Sequence, residues 1–445
     1  MPILSEALYG SIAKDNPIVF NENDDYFFSN EYGTEYFSLA EDTLSKGVLC
    51  IGGTGSGKTN TINHLVAQIK RRMTKNDVML VFDTKGDYFK KFYENGDVVL
   101  GNSKEFREVS EKWNVFNEIT IDGDDDANAI MNINDLCHCL FKKYESSSQP
   151  FFSNAGRGLV AAVMLYIIRY TANLASKKAY RNNKTLVSWF EKAQAENFHR
   201  MYRFYPDLSN VGMYLGTGEN SQALGVLSEA IVMIKDTFLG VFGEYGSFSI
   251  RNFVRTRAGK TLFIEYDLSI GEVLSPIYSL LMDLAFKEAL GRRKEKEGDE
   301  QGNVYIIIDE FKLLPYLTHI DDAVNFGRSM GLKVITGLQS MAQLYDVYGR
   351  DKGLSIAAGF SSIMAFRPND WLTEEYLRDA FGVNFLSETT LAGSQPCTQR
   401  REGHVVEAWE LRKLKLGQAF IRLIENPPFM FKFSEYKGST QNGKG

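Results

Sequence analysis

Residues 52–59 read Gly52-Gly53-Thr54-Gly55-Ser56-Gly57-Lys58-Thr59, which fits the pattern G-x-x-x-x-G-K-[ST] in full. The context is the one this pattern requires. The apolar run Val48–Gly52 (VLCIG) before it reads as a strand. After Lys58, the residues Leu65, Ile69 and Met73 recur at helical spacing, with Lys70, Arg71 and Arg72 on the outer arc. A second apolar run, Val78–Phe82 (VMLVF), ends in Asp83. Strand, glycine loop, helix and strand form the βαβ opening of an α/β domain.

Each residue type in the loop has a task. Glycines let the backbone curl so that successive N–H groups face phosphate oxygens, and the helix N-terminus adds its positive end. The expected nucleotide-binding set is Gly52, Gly53, Thr54, Gly55, Ser56, Gly57, Lys58, Thr59 and Asn60. Lys58 is expected to reach the β- and γ-phosphates, and the Thr59 hydroxyl to ligate Mg²⁺. A glycine loop alone implies binding, not hydrolysis. The second half comes at Val304–Glu310 (VYIIIDE), an apolar strand that delivers two acids at its C-terminal end. Asp309 is placed to hold Mg²⁺, and Glu310 to polarise the attacking water as general base. The expectation is an active ATPase using ATP and Mg²⁺.

Two more polar residues fit a motor of the RecA-like type. Gln339 follows the strand Leu332–Thr336, where such motors place a residue that senses the γ-phosphate. Arg328 lies earlier, on an expected helix (DDAVNFGRSMG). It is either a solvated surface arginine or a finger inserted into a neighbouring subunit's site, and the second reading requires an oligomer.

With 445 residues the chain has room for two or three domains. Its 44% apolar and 13% aromatic residues argue for sizeable buried cores and against disorder. A net charge of −6 excludes a general polyanion-binding surface, so any nucleic-acid contacts must be local. Cys50, Cys137, Cys139 and Cys397 are scattered, and Cys137-His138-Cys139 in a helix-like apolar stretch reads as core rather than as a metal site. The run Leu159–Ile168 is shorter than the ~18–20 residues that cross a bilayer. The first residues (MPILSEALYG) lack the pattern of a signal peptide.

Strand signals give way to helical spacing between about Asp125 and Gly240, in Gly158–Leu174, Thr185–Arg203 and Gln222–Phe242. They return at Lys260–Tyr266, Val304–Ile308, Leu332–Thr336 and Ser362–Phe366, with a helix expected over Leu274–Arg293. The expected fold is an α/β RecA-like P-loop motor with a central, mainly parallel β-sheet, interrupted by an all-α insert. The expected divisions are residues 1–120 and 251–435 for the motor, 121–250 for the insert and 436–445 for a disordered tail. Residues 292–303 read as a solvated connector.

Beyond about residue 45 the chain resembles the conjugative coupling proteins of the TraD type, within the FtsK/HerA group of motors. The resemblance rests on Asp83-Thr84-Lys85-Gly86-Asp87, on Trp113-Asn114-Val115-Phe116, on Pro150-Phe151-Phe152 with Gly156-Arg157, and on Phe248-Ser249-Ile250-Arg251. Most specific is Asp309–Gly349, with its layout DEF…GR…GLQSMAQLYDVYG. The resemblance implies a homo-hexameric ring that pumps DNA and links a relaxase and its DNA-processing complex to a type IV secretion channel. It keeps Lys58, Thr59, Asp309 and Glu310 in the roles above, makes Gln339 the family's motif glutamine, and puts Arg328 where the family has its trans-acting finger. Thr84 stands where the family has proline. Most members carry an N-terminal pair of membrane helices, and this chain shows none. The expectation is therefore a cytoplasmic protein recruited to the inner face of the membrane by partners.

Three other readings stay open at this point: a soluble HerA/FtsK-like DNA-processing motor, a secretion ATPase driving protein export or pilus assembly, and a scaffold that binds nucleotide as a switch. Lys90-Lys91-Phe92 and Tyr180-Arg181 are the basic and aromatic candidates for gripping DNA, although solvated surface suits each better.

Overall fold

The computed structural model describes residues 4–9, 20–145, 150–172, 175–209, 215, 221–291, 302–392, 395–424 and 426–438. The expected connector at 292–303 falls mostly outside them, as do residues 439–445 of the expected tail.

Strands β1 (Leu4–Tyr9), β2 (Tyr26–Ser29) and β3 (Tyr36–Leu39) precede β4 (Val48–Ile51), which leads into the glycine loop. Next come β5 (Val78–Asp83), β6 (Val98–Gly101), β7 (Lys260–Glu265), β8 (Val304–Ile308), β9 (Leu332–Leu338) and β10 (Ser362–Ala365). The last four are β11 (Val383–Ala392), β12 (Gln395–His404), β13 (Gln418–Leu423) and β14 (Asn426–Lys432). A nine-stranded sheet runs β14-β13-β10-β4-β9-β8-β5-β7-β6. From β10 to β6 every pairing is parallel, while β13 and β14 close one edge antiparallel. This is the RecA-like α/β fold with a central, mainly parallel sheet.

The apolar runs look continuous because these strands are buried on both faces. The alternation of side chains then sorts them between two cores. Leu49 and Ile51, Leu80 and Phe82, and Ile306 and Ile308 point into one core; Val48 and Cys50, Met79 and Val81, and Tyr305 and Ile307 point into the other. The second core takes Ile62, Leu65, Val66 and Ile69 from helix Lys58–Arg72, which is the face that the helical spacing marks. The first takes the helix Gly271–Leu290 and the helical segment, so the helices of the insert and the glycine-loop helix cover opposite faces. Burying each such side chain contributes about 1.5–3 kcal/mol.

Between Val115 and Thr256 the described residues hold helices and no strand, chiefly Asp126–Leu140, Pro150–Ala172, Asn183–Glu191, Ala195–Phe204 and Ser221–Thr237. The helical spacing over Thr185–Arg203 is shared by two helices. A new N-terminus forms where the Asn197 side chain accepts a hydrogen bond from the Gln194 N–H. Helix Pro150–Ala172 is long and apolar enough to cross a bilayer, but 61% of its most apolar window is buried in the protein. Cys137 and Cys139 are buried core residues, and no group of metal-ligating side chains occurs among the described residues.

A buried carboxylate ties the two ends of this segment to the motor. Glu118 accepts hydrogen bonds from Trp113 Nε1 (2.9 Å), Ser249 Oγ (2.9 Å) and the backbone N–H groups of Ile250 (2.6 Å) and Arg251 (3.2 Å). The neighbouring backbone is paired directly between Trp113 and Phe248. Both residues belong to the short motifs that carry the family resemblance.

Of the DNA-gripping candidates, Lys90, Lys91 and Tyr180 are exposed, whereas Phe92 and Arg181 are internal. Phe92 is buried in the second core. Arg181 is 8% exposed, pairs with Asp124 at 2.8 Å and donates to Thr171 Oγ1 and the Ile168 carbonyl, so its charge holds helices together. Tyr436, at the start of the expected tail, packs its ring against His64 and Phe92.

Candidate functional site

The glycine loop, Asp309, Glu310 and Gln339 all follow the C-terminal ends of neighbouring parallel strands, β4, β8 and β9. In open α/β sheets this edge is where ligands bind. Thr59 lies in the first turn of helix Lys58–Arg72, and its Oγ1 donates to the Asp309 carboxylate at 2.9 Å. The two groups expected to hold Mg²⁺ therefore already face each other. Gly337, inside β9, permits this packing: a Cβ there would lie 2.2 Å from the Asp309 carbonyl oxygen.

Lys58 is buried, and its Nζ donates to the carbonyls of Gly52 (2.6 Å) and Gly53 (2.9 Å). The ammonium is folded over the loop that would surround phosphate. Burial pushes its pKa down, partly opposed by the charges of Glu310 and Asp309. Asp309 is pushed up to about 6 by burial, held back by the Thr59 hydrogen bond, with the Glu310 charge adding to the rise. A divalent cation beside it would favour the ionised form.

Glu310 is raised by burial, while its hydrogen bond from Gln339 and the charges of Lys58, Lys312 and Lys85 work the other way. One carboxylate oxygen accepts from Gln339 Nε2; the other, Oε1, is buried without a partner among the described residues. Gln339 Oε1 in turn accepts from Thr54 Oγ1 at 3.1 Å. The chain Thr54–Gln339–Glu310 thus spans from the glycine loop to the general-base candidate. The orphaned Glu310 oxygen, the Thr59–Asp309 pair and the folded-over Lys58 together fit a nucleoside triphosphate with a divalent cation.

Asn60 takes a different part. Its side chain donates to the Ser434 carbonyl (2.8 Å) and accepts from the Tyr436 N–H (2.7 Å), so it latches the chain end after β14 onto the loop's helix. What it has left for a nucleotide is backbone.

Arg328 is placed away from these residues. It sits in the short turn Gly327–Met330 that precedes β9, whereas Gln339 follows β9. At ~3.3 Å per strand residue, roughly 20 Å of sheet separates the two ends. Its guanidinium is more than half exposed and pairs with Asp42 at 2.5 Å.

Three residues that the sequence reading passed over also touch the loop. The Gly53 N–H donates to the Arg367 carbonyl (2.8 Å), and the Gly417 N–H to the Ser56 carbonyl (3.0 Å). The Asn369 amide lies 2.3 Å from where a Cβ on Gly53 would be, so any side chain there would have to displace that amide. These contacts come from β10 lying beside β4 and from the approach to β13. The only signal in the sequence was the strand Ser362–Phe366, without its neighbour.

Further along the same edge, Asp83 ends β5 and accepts from the N–H groups of Lys85, Tyr88 and Phe89, which fixes the turn D-T-K-G-D. Its register partner on β7 is Glu265, 3% exposed, whose Oε1 has no partner among the described residues. Burial, then the charges of Asp83 and Glu105, push Glu265 up to about 9 from 4.5. Between those values the folded chain keeps a proton that the unfolded chain has released, so stability falls as pH rises through that window. Glu265→Gln keeps the shape without the ionisation. It should flatten the decline by an amount on the order of 3 kcal/mol, read from urea midpoints across that pH range.

Comparison with known proteins adds the following. Residues 34–430 match the family model described as the type IV secretion-system coupling protein DNA-binding domain. Coupling protein TraD of Escherichia coli (strain K12) is 22% identical over 342 residues, 75% of this chain and 43% of TraD, so the chain corresponds to less than half of that relative's length. Among solved structures, plasmid coupling protein TrwB in complex with ADP and Mg²⁺ superimposes with a TM-score of 0.70 at 21% identity, covering 95% of this chain and 91% of TrwB. TrwB in complex with an ATP analogue gives 0.73 at 20%, with 98% of each covered. VirB4 of Thermoanaerobacter pseudethanolicus gives 0.59 at 9% identity, covering 96% and 99%. These structures share the fold.

Proposed function

Because the chain belongs to the type IV secretion-system coupling protein DNA-binding domain family, we propose that it is an ATP-driven DNA translocase that delivers DNA to a type IV secretion channel during conjugation. The observation that carries this reading is the convergence of Lys58, Thr59, Asp309, Glu310 and Gln339 on one edge of the sheet, in a chain of this family. TrwB's complexes with ADP and Mg²⁺ and with an ATP analogue support the same ligands here.

Each residue then has a role. The amides of Gly52–Thr59 and Lys58 hold the phosphates. Thr59 and Asp309 hold the Mg²⁺, which when bound draws charge off the phosphate oxygens. Glu310 accepts the proton of the attacking water, and Gln339 orients Glu310 and reports to Thr54. Arg328 serves the site of a neighbouring subunit. This requires a ring, which we infer to be a homo-hexamer, with residues 1–120 and 251–435 as motor and 121–250 as insert. The ring works with a relaxase complex and channel proteins, in the cytoplasm at the inner face of the membrane, and touches the membrane through those partners.

ATP turnover of the assembled oligomer, with and without single- or double-stranded DNA, tests the proposal. Turnover should rise with DNA, and the rise should weaken as salt is added, since the grip is on phosphates. If neither form of DNA changes turnover while channel subunits still bind, the chain is instead an ATPase with a protein cargo.

A further inference from the structure

Tyr88, in the short helix after β5, is 1% exposed, and its hydroxyl has no hydrogen-bond partner among the described residues. A phenylalanine would fill the same space without that oxygen. The hydroxyl therefore costs stability where it stands. We propose that Tyr88 is a positioning residue for Asp309: when Mg²⁺ and nucleotide are bound, its hydroxyl donates to the Asp309 carboxylate and holds it on the metal. This rests on Asp309 being a Mg²⁺-holding residue.

The placement follows from the sheet. Strands β5 and β8 pair in parallel with Phe82 opposite Ile308, so Asp83 and Asp309 come next on neighbouring strands. Asp83 accepts from the Tyr88 N–H at 2.7 Å and from the Phe89 N–H at 3.0 Å, which starts helix Asp87–Phe92 beside Asp309. The Tyr88 ring packs into the second core together with Cys50 and Ile307. Burial pushes the phenol pKa well above its usual value, and among the neighbouring charges Asp309 adds most, ahead of Asp83 and Cys50. The hydroxyl is thus close enough to feel the Asp309 carboxylate, yet short of hydrogen-bond geometry with it.

Asp309 has room for a second donor. Among the described residues only Thr59 Oγ1 donates to its carboxylate, reaching the two oxygens at 2.9 and 3.1 Å. An ionised carboxylate accepts at several lone pairs, and a hydroxyl that donates to it makes a stronger bond than it makes with a neutral acceptor. The two donors differ in what they are fixed to. Thr59 belongs to the glycine loop and its helix, whereas Tyr88 is fixed to β5 through Asp83. A bond from Tyr88 ties the metal-holding carboxylate to the sheet as well as to the loop. The hydroxyl that costs stability in the empty protein is satisfied in the loaded one.

The test is a Mg²⁺ titration of the binding of a non-hydrolysable ATP analogue to the full chain, followed by calorimetry, for the parent, Tyr88→Phe and Asp309→Asn. Tyr88→Phe should raise the half-saturating Mg²⁺ concentration at least about tenfold. It should leave the analogue's affinity in EDTA unchanged. The urea midpoint of the nucleotide-free chain should stay level or rise, because an unsatisfied hydroxyl has been removed. A merely structural tyrosine would give the reverse pattern: a lower midpoint, or affinity lost equally with and without Mg²⁺, and either result would overturn the proposal. So would an unchanged Mg²⁺ requirement in Tyr88→Phe while Asp309→Asn weakens it. A Mg²⁺ requirement that survives Asp309→Asn would remove Asp309 from the metal, and the role of Tyr88 with it.

Discussion

A Glu310→Gln chain is expected to bind ATP with little loss and to turn it over ~10²–10⁴-fold more slowly. In the proposed mechanism this carboxylate is the base; one oxygen is held by Gln339 and the other has no partner among the described residues. Burial raises its proton affinity, which makes it a stronger base than an exposed glutamate. The amide keeps the size and loses the basicity. In the proposed mechanism binding rests on Lys58, Thr59 and the loop amides, none of which the substitution removes. Phosphate release and nucleotide affinity, measured on the same preparation, separate the two effects. Unchanged turnover would mean that nucleotide acts as a switch and that the acid pair after β8 is structural.

The second large effect concerns Arg328. Its removal should lower turnover by ~10³–10⁵-fold in the assembled oligomer, the range of arginine fingers. Little stability should be lost, since its pair with Asp42 is exposed on both sides and contributes at most about 1 kcal/mol. β9 separates Arg328 from Gln339, which is the separation that a finger serving a neighbour's site would require. Mixing Arg328→Ala chains with Lys58→Ala chains should therefore restore part of the activity, as some interfaces receive an intact loop from one subunit and an intact arginine from its neighbour. Verified mixed rings that stay inactive would return Arg328 to the role of a solvated surface residue.

The strand–loop–helix unit at Val48–Arg72 and the acids after β8 were legible in the sequence because their signals are local. A glycine loop must follow a strand and open a helix, and a doubly buried strand must be apolar throughout. Strand order was not legible: nothing in Ser362–Phe366 says that it lies beside β4, so the contacts of Arg367, Asn369 and Gly417 with the loop stayed hidden. The hairpin β11–β12 escaped for a different reason. Along β12 nearly every side chain is exposed, so Gln395–His404 lacks the alternation that marks a half-buried strand. Arg181 and Asn60 show a third limit. Polar residues in helical stretches look like surface until tertiary structure supplies Asp124 for one and the backbone at Ser434 for the other.

The central claim is that ATP turnover at this site moves DNA. The most direct measurement is ATP-driven displacement of streptavidin from the end of biotinylated DNA, run on single- and double-stranded substrates with the wild-type oligomer and with Glu310→Gln. The account predicts displacement from at least one substrate that requires ATP and Mg²⁺ and is lost in Glu310→Gln. DNA-stimulated turnover with no displacement from either substrate would contradict it.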